Sequence, residues 1–259
     1  MSVGFDFSGQ TVLVTGASRG IGYAVARAFA LAGARVSIIA EDATVEQAAR
    51  TIGEEAGIRV RAQRCDISDE AAVRKALDGI GTLDVLVNNA GIELPTPVGE
   101  VHTAVDDAFR RIIDVNVLGT WWVTRAAIQK MDAGGRILIT SSIWGRTAVP
   151  GFAGYAASKH ALIGIARTLS RELGPKGLRV NAVCPGWVKT EASLRSLAVM
   201  AEEKGVSEEE MAEELAADQS LGGLMEPDDV AGLYLYLASD AAANVTGQAI
   251  PIDRGEVMA

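Results

Sequence analysis

Tyr155 stands four residues before Lys159, and two serines, Ser141 and Ser142, precede it by fourteen and thirteen positions. Residues i and i+4 share one face of a helix, so the Lys159 ammonium can reach the neighbourhood of the phenol. A free phenol titrates near pH ~10, and a base working near neutrality needs that value lowered by about three, worth roughly 4 kcal/mol. One cation at about 4 Å, in an effective dielectric near ~20, supplies a gross attraction of that order. The expectation is a phenol made acidic chiefly by Lys159 and able to exchange a proton with an alcohol. The only histidines, His102 and His160, are too few and too isolated for a metal cluster, so no metal is expected. His160 also points about 100° away from Lys159 around a helix, which reads as packing or surface.

A second group of residues suits a phosphate-bearing ligand. Gly16-Ala17-Ser18-Arg19-Gly20-Ile21-Gly22 follows the β-branched run Thr11–Thr15 and precedes a helix-like run, Tyr23–Ala32. Glycines let a backbone turn tightly and approach a pyrophosphate, while a helix N-terminus offers unpaired N–H groups and partial positive charge. The spacing is Gly-x-x-x-Gly-x-Gly, not the commoner dinucleotide spacing Gly-x-Gly-x-x-Gly. About 20 residues beyond such a turn an acidic residue is expected to bond the adenosine ribose hydroxyls, and Glu41 and Asp42 stand there. Their charge repels a 2′-phosphate and favours NAD.

The elements that must position these residues alternate in one manner. Strand-like runs at Thr11–Thr15, Arg35–Ala40, Ile58–Arg64, Asp84–Asn88, Arg136–Thr140, Leu178–Cys184 and Gln248–Ile252 are separated by helix-like segments. That pattern predicts an α/β fold, a doubly wound parallel sheet of about seven strands with helices on both faces. Val12-Leu13-Val14 and Val85-Leu86-Val87 are apolar at successive positions, as strands covered on both faces must be. With 259 residues, 49% of them hydrophobic, the chain suits one domain spanning 1–259. Over Glu191–Asp218 the texture changes. An Ala- and Glu-rich stretch, broken at Gly205-Val206-Ser207, predicts two helices forming a substrate lid at about 188–226. Its apolar residues, Leu194, Leu197, Met200, Leu221, Leu224 and Met225, suggest a partly apolar cover, and the Glu202–Glu214 acid run a wet helix face.

A formal net charge of −9 argues against nucleic acid and anionic membranes as partners. The start, MSVGFDFSGQ, lacks the basic and apolar regions of a secretory signal, and Arg27, Arg35 and Glu41 interrupt the longest apolar runs. Cys65 and Cys184 read as buried thiols, so a cytoplasmic, reducing location is expected. Trp121 and Trp122 suit a core or subunit interface, Trp144 and Trp187 suit pocket walls, and Glu93, Arg146 and Lys189 are possible contacts of a polar substrate or plain solvated charges.

"TGASRGIG" at Thr15–Gly22, "NNAG" at Asn88–Gly91, Ser142, "YAASK" at Tyr155–Lys159 and "CPG" at Cys184–Gly186 occur in one order. That ordered set resembles the short-chain dehydrogenase/reductase family over about Gly9 to Gly255. The resemblance implies hydride transfer between a nicotinamide dinucleotide and a secondary alcohol or ketone; Arg19, where relatives that use NADP often carry a basic residue, and Ala40, at the usual place of an NAD-type aspartate, keep NADP open beside NAD. It implies Tyr155 as general acid and base, aided by the charge of an oxidised nicotinamide, Ser142 bonding the substrate oxygen, and Lys159 tuning Tyr155 and binding ribose hydroxyls. Asn116 matches an asparagine holding a water chain to the lysine, and Ser141 reads as structural. Gly16, Ser18, Arg19, Gly20, Ile21 and Glu41 would take the pyrophosphate and adenosine ribose, Asp66 and Ile67 the adenine, and Asn89, Ala90 and Gly91 the adenosine side. Pro185, Gly186 and Val188 would border the nicotinamide, with Thr190 bonding its carboxamide or phosphate.

Relatives usually form tetramers through helices corresponding to Arg111–Met131 and Gly154–Gly174, so a homo-oligomer is expected. Leu221-Gly222-Gly223-Leu224 and Asp253-Arg254-Gly255 depart from the family pattern, which often has glycine then arginine at the first place and Asp-Gly-Gly at the second. A 3-oxoacyl thioester reductase using NADPH, and a dinucleotide-sensing module without turnover, are the competing readings. The acidic balance opposes the first, and the complete Asn116, Ser142, Tyr155 and Lys159 set opposes the second.

Overall fold

The computed structural model describes residues 4–258. Seven parallel strands form one sheet: β1 (Thr11–Thr15), β2 (Arg35–Ala40), β3 (Arg61–Arg64), β4 (Val85–Asn88), β5 (Arg136–Thr140), β6 (Arg179–Pro185) and β7 (Ala249–Ile252), in spatial order β3-β2-β1-β4-β5-β6-β7. The chain winds outward from β1 to β3, then returns to β4 on the other side of β1. Strand order therefore reverses between β1 and β4, where open α/β sheets leave a crevice at the carboxyl ends of the strands. Asn89 and Ala90 lace that crevice, both backbone N–H groups donating to Thr15 Oγ1 at 2.9 Å.

Each face carries its own core. Val12, Val14, Val36 and Ile38 pack with Val25 and Phe29 of α1 (Gly20–Leu31), Val45 and Ile52 of α2 (Thr44–Ala56), and Tyr234 and Leu237 of α9 (Pro227–Ala238). Leu13, Leu86, Ile137 and Ile139 face the other way. They pack with Val73 and Leu77 of α3 (Glu70–Asp78), Val123 of α5 (Thr120–Ala127), and Leu162, Ile163 and Leu169 of α6 (Ala153–Leu173). Successive residues of β1 thus point into different cores, which is why its sequence is continuously apolar.

Strand positions agree with the sequence reading to within a residue except at β3. The run from Ile58 was expected to be strand throughout, yet pairing begins at Arg61, opposite Ser37. Ile58 donates its N–H to the Gly53 carbonyl instead, and Val60 is buried against the α2 side. The three apolar-leaning positions are a packing segment that delivers a polar edge strand. Helix α1 also starts earlier than the expected Tyr23, at Gly20, so the last glycine of the motif lies inside its first turn.

Between α4 (Thr103–Ile112) and α5, residues Ile113–Gly119 form a π-helical turn. Such turns widen the helix by one residue and are frequent at functional sites; this one carries Asn116. After β6 come α7 (Glu191–Lys204) and α8 (Glu208–Ala217), joined at Gly205, whose φ of 72° suits only glycine comfortably, and at the helix cap Ser207. Leu197, Ala201 and Met211 of this pair close a third apolar cluster with Ile143, Trp144, Phe152 and Trp187. Of the apolar residues expected to form a cover, Leu197 and Met225 are buried, while Leu194 and Leu221 face outward. The Glu202–Glu214 run is largely exposed, as read.

The two departures from the family pattern meet in space. Leu221 N–H donates to the Arg254 carbonyl, and the Arg254 guanidinium donates to the Gly222 carbonyl at 2.8 Å. Arg254 is the one non-glycine residue described with positive φ, 57°.

Candidate active site

A cleft of about 380 Å³ lies at the carboxyl ends of β1, β2, β4, β5 and β6. Its lining contains every cofactor-binding candidate read from the sequence: Gly16, Ser18, Arg19, Gly20, Ile21, Glu41, Asp66, Ile67, Asn89, Ala90, Gly91, Tyr155, Lys159, Pro185, Gly186, Val188 and Thr190. Ser142 lines it too, whereas Asn116 is fully buried behind it.

The residues present fit a dinucleotide. Gly16 has a φ of 63°, and a Cβ there would stand 2.6 Å from the Ala90 backbone. Gly20 has a φ of 59°, and a Cβ on it would crowd Thr190 Cγ2 at 3.2 Å. Helix α1 begins without a side-chain cap and without an acidic residue in its first turn, which leaves its first amides for an anion. Thr190 meets α1 from the other side as the N-cap of α7, where it forms a capping box with Ser193.

At the adenosine end the structure distinguishes the two carboxylates. Glu41 is exposed and lies 3.8 Å from Arg111. Asp42 is gripped: Ser18 Oγ donates to it at 2.8 Å, Thr44 donates from both its N–H and its hydroxyl, and Arg19 sits at 3.3 Å. Partial burial opposes its ionisation, but the Thr44 and Ser18 hydrogen bonds and the Arg19 charge hold the carboxyl below its usual range. Arg19, the residue that left NADP open, is itself held between Asp42 and Glu191, the latter at 3.1 Å. Asp66 accepts from Ser68 and, at 3.0 Å, from Arg111, which fixes its loop at the edge of the cleft.

At the inner end, Tyr155 and Lys159 lie on one face of α6 as their spacing requires. The Lys159 amine sits 5.3 Å from the centroid of the Tyr155 ring and donates to the Thr140 carbonyl at 2.9 Å. The acidifying effect expected chiefly from Lys159, with an oxidised nicotinamide adding to it, is outweighed by the protein surroundings taken alone. Burial and then the Glu93 charge push Tyr155 well above its ordinary value, against a hydrogen bond from Ser142 that lowers it. Burial also pulls Lys159 down to about 8, with Glu93 and Cys184 working against that fall. Enclosure disfavours both charged forms at once, so without further positive charge the phenol stays neutral.

Ser142 Oγ accepts the Trp144 N–H at 3.1 Å, and its own hydrogen is left for the Tyr155 phenol on the cleft side. Ser141 donates to the Lys159 carbonyl at 2.8 Å and is structural, as read. The Asn116 carboxamide, expected to hold a water chain, is fully engaged in protein contacts. Its Oδ1 accepts the Ile92 N–H at 2.8 Å, and its Nδ2 donates to the Ile92 carbonyl at 2.9 Å and to Ser158 Oγ at 3.0 Å. Sequence reasoning missed Thr140, whose carbonyl holds Lys159 and whose hydroxyl bonds buried Tyr234 at 2.8 Å; as an ordinary strand end it gives no signal.

Trp144 and Trp187 wall the cleft, edge-to-face at 5.5 Å, with Trp144 at 5.8 Å from Tyr155. Trp122 packs against the second core, while Trp121 is partly exposed. Of the three charges considered for a substrate, Arg146 donates to the Ala249 carbonyl and Lys189 pairs with Glu226. Only Glu93 enters the cleft. His160 bonds the Ala156 carbonyl on the helix surface. Among the described residues no group of side chains could hold a metal, both cysteines are free and buried, and no helix is long and apolar enough to cross a membrane.

Residues 16–256 match the family model described as enoyl-(acyl carrier protein) reductase. An uncharacterized oxidoreductase of Methylorubrum extorquens is 37% identical over 95% of this chain and 97% of its own. The 3-oxoacyl-[acyl-carrier-protein] reductase FabG of Rickettsia conorii is 34% identical over 98% and 99%. Among solved structures, L-sorbose reductase from Gluconobacter frateurii, complexed with NADPH and L-sorbose, superposes with a TM-score of 0.88 at 26% identity over 98% of each chain. Carveol dehydrogenase from Mycobacterium avium, in complex with NAD, gives 0.87 at 26% identity over 97% and 99%. With its reversed-order parallel sheet, its glycine-lined helix start and these full-length likenesses, the chain belongs to the short-chain dehydrogenase/reductase family of nicotinamide-dependent oxidoreductases.

Proposed function

We propose that the protein transfers a hydride between a nicotinamide dinucleotide, NAD in preference to NADP, and a secondary alcohol or its ketone, with Tyr155 as general acid and base. One observation carries this reading: an enclosed phenol with the Ser142 hydroxyl beside it and the Lys159 amine over its ring, at the inner end of a cleft that runs to the uncapped start of α1. The bound nicotinamide supplies the hydride acceptor or donor. In the direction of reduction, neutral Tyr155 gives its proton to the carbonyl oxygen, and Ser142 turns its hydrogen from the phenol to the same oxygen. Lys159, while protonated, steadies the tyrosinate left behind. Oxidation runs the same steps backward and needs the phenol deprotonated, so its rate rises with pH. Asn116 contributes by fixing Ile92 and Ser158 around the site, since its carboxamide has no free hydrogen for a relay.

The cofactor preference rests on Asp42, kept ionised by Ser18, Thr44 and Arg19, and on Arg19 being occupied by two carboxylates. A 2′-phosphate would have to displace those partners and face the remaining charge. Residues 188–226 are proposed to act as the substrate lid, and the free buried thiols suit a cytoplasmic location. Initial rates with secondary alcohols and ketones, each with NAD(H) and NADP(H), test the proposal by nicotinamide absorbance. Turnover with at least a tenfold NAD advantage in kcat/KM is expected. A strong NADP preference defeats the cofactor assignment, and turnover of 3-oxoacyl thioesters alone favours the FabG-like reading.

A further inference from the structure

One ionisable group in the cleft has no part in the proton transfer just described. Glu93 follows the Gly91-Ile92 turn after β4, and its backbone neighbour Ile92 is clamped through both N–H and C=O by Asn116. The carboxylate therefore projects from a fixed point. Its Oε1 accepts a hydrogen bond from Ser196 of α7, a buried hydroxyl, so the carboxyl bridges the reaction chamber and the lid helix. Among the described residues Oε2 has no partner, and it is not among the sealed-off polar atoms, so it opens to the cleft. The charge lies close enough to the chemistry to act on both Tyr155 and Lys159. Trp144, Trp187, Ile92 and Leu94 line the same cleft and make much of its wall apolar.

From this juxtaposition we infer that Glu93 is a specificity-determining residue that selects neutral substrates bearing a second hydroxyl, whose hydrogen its carboxylate accepts, sharing or replacing the Ser196 bond as α7 settles over the substrate. The inference rests on the dehydrogenase reading above. Three alternatives fit the site less well. A substrate carboxylate or phosphate would be repelled by Glu93, and the two cations near it are engaged elsewhere, Arg195 with Glu191 at 3.0 Å and Lys159 with the Thr140 carbonyl. A substrate ammonium would pair with Glu93 but confront the Lys159 amine across the same chamber. A substrate with only its reacting oxygen would cover Oε2 with apolar surface and leave it unpaired, which is the situation in which sites built for a hydroxyl discriminate most strongly. Burial raises the Glu93 pKa, opposed by the Ser196 bond and by Lys159, as expected for a carboxyl that lacks one more donor.

The test uses hydroxyketones with the hydroxyl one, two or three carbons from the carbonyl, each against the ketone in which methyl replaces that hydroxyl. kcat/KM is measured with the preferred reduced cofactor. Wild-type enzyme is expected to favour the hydroxyketone at least tenfold in one or more pairs. In Glu93→Leu that ratio should collapse to within threefold, and in Glu93→Gln, whose amide oxygen still accepts, a part of it should return. Ser196→Ala, which frees Oε1, should lower KM for the preferred hydroxyketone while keeping the ratio. Turnover of both members of every pair without preference, or a preference that survives Glu93→Leu, overturns the role of Glu93 and leaves the dehydrogenase reading standing. Absence of turnover with every member and either cofactor overturns both. Should Glu93→Leu fail to fold, the Glu93→Gln and Ser196→Ala ratios decide alone: both equal to wild type in ratio and KM would overturn the assignment.

Discussion

Lys159 is a buried amine bonded to a single carbonyl, and its pKa falls from 10.5 to about 8 because burial penalises the charged form. A folded-state pKa below the unfolded value means the unfolded chain binds more protons between the two, so stability rises with pH across that interval. Below about pH 8 the fold carries the whole cost of the ammonium. Lys159→Met removes that cost together with the proposed catalytic charge. It should raise stability at pH 7 by on the order of 2 kcal/mol and abolish turnover. The gain should shrink as pH climbs from about 8 toward 10.5. Urea titrations of both proteins at several pH values check this; a variant less stable at pH 7, or a gain that grows with pH, would contradict it. The Tyr155–Lys159 pair itself was legible in the sequence because i, i+4 spacing fixes a shared helix face. The direction of the Tyr155 shift was not, since a Coulomb estimate between two residues contains neither the enclosure by Trp144 nor the charge of Glu93.

Glycines show how much the elements alone dictate. Gly16 closes the β1 turn with positive φ and with no room for a Cβ against Ala90, whereas Gly151 has a φ of 79° and nothing within 4 Å of the same position. Gly151→Ala should cost about 1 kcal/mol, the strain of a left-handed residue. Gly16→Ala should cost at least about 2 kcal/mol more, because two backbones must separate, and should weaken dinucleotide binding tenfold or more. Equal denaturation midpoints for the two variants would contradict this. Strand positions and the α7–α8 break at Gly205-Val206-Ser207 could be read from apolar runs and a cap residue. The false extension of β3 to Ile58 arose because an apolar packing segment and a strand look alike without a partner strand in view. The π-helical turn around Asn116 left no trace in the residue pattern at all. The Leu221–Leu224 and Asp253–Gly255 departures looked unrelated along the chain and prove to be one contact, with Arg254 bonding Gly222.

Considered as a particle, the chain carries a formal charge of −9 and exposes Phe109, Leu118 and Trp121 along the α4–α5 stretch. Partly exposed aromatic and aliphatic side chains on one long helical stretch, in a family expected to pair through it, suit a homo-oligomer, proposed to be a tetramer. Sedimentation velocity should give a mass near four chains, and Trp121→Glu should shift it toward smaller species; a monomer at micromolar concentration would oppose the proposal. The cleft is where sequence and structure agree most closely, since every cofactor candidate lines it. Thr140 marks the limit of that agreement, because a cleft gathers residues whose proximity depends on the whole sheet.

Removing only the phenolic oxygen addresses the proposed chemistry most directly, since Tyr155→Phe keeps the ring against Trp144 and leaves the dinucleotide cradle untouched. With a substrate that wild-type enzyme turns over, kcat should fall by at least about 10³-fold, while the dissociation constant for the dinucleotide, from quenching of tryptophan fluorescence, should stay within about threefold. A Phe variant that retains wild-type kcat would contradict the assignment of Tyr155 as the proton donor and acceptor.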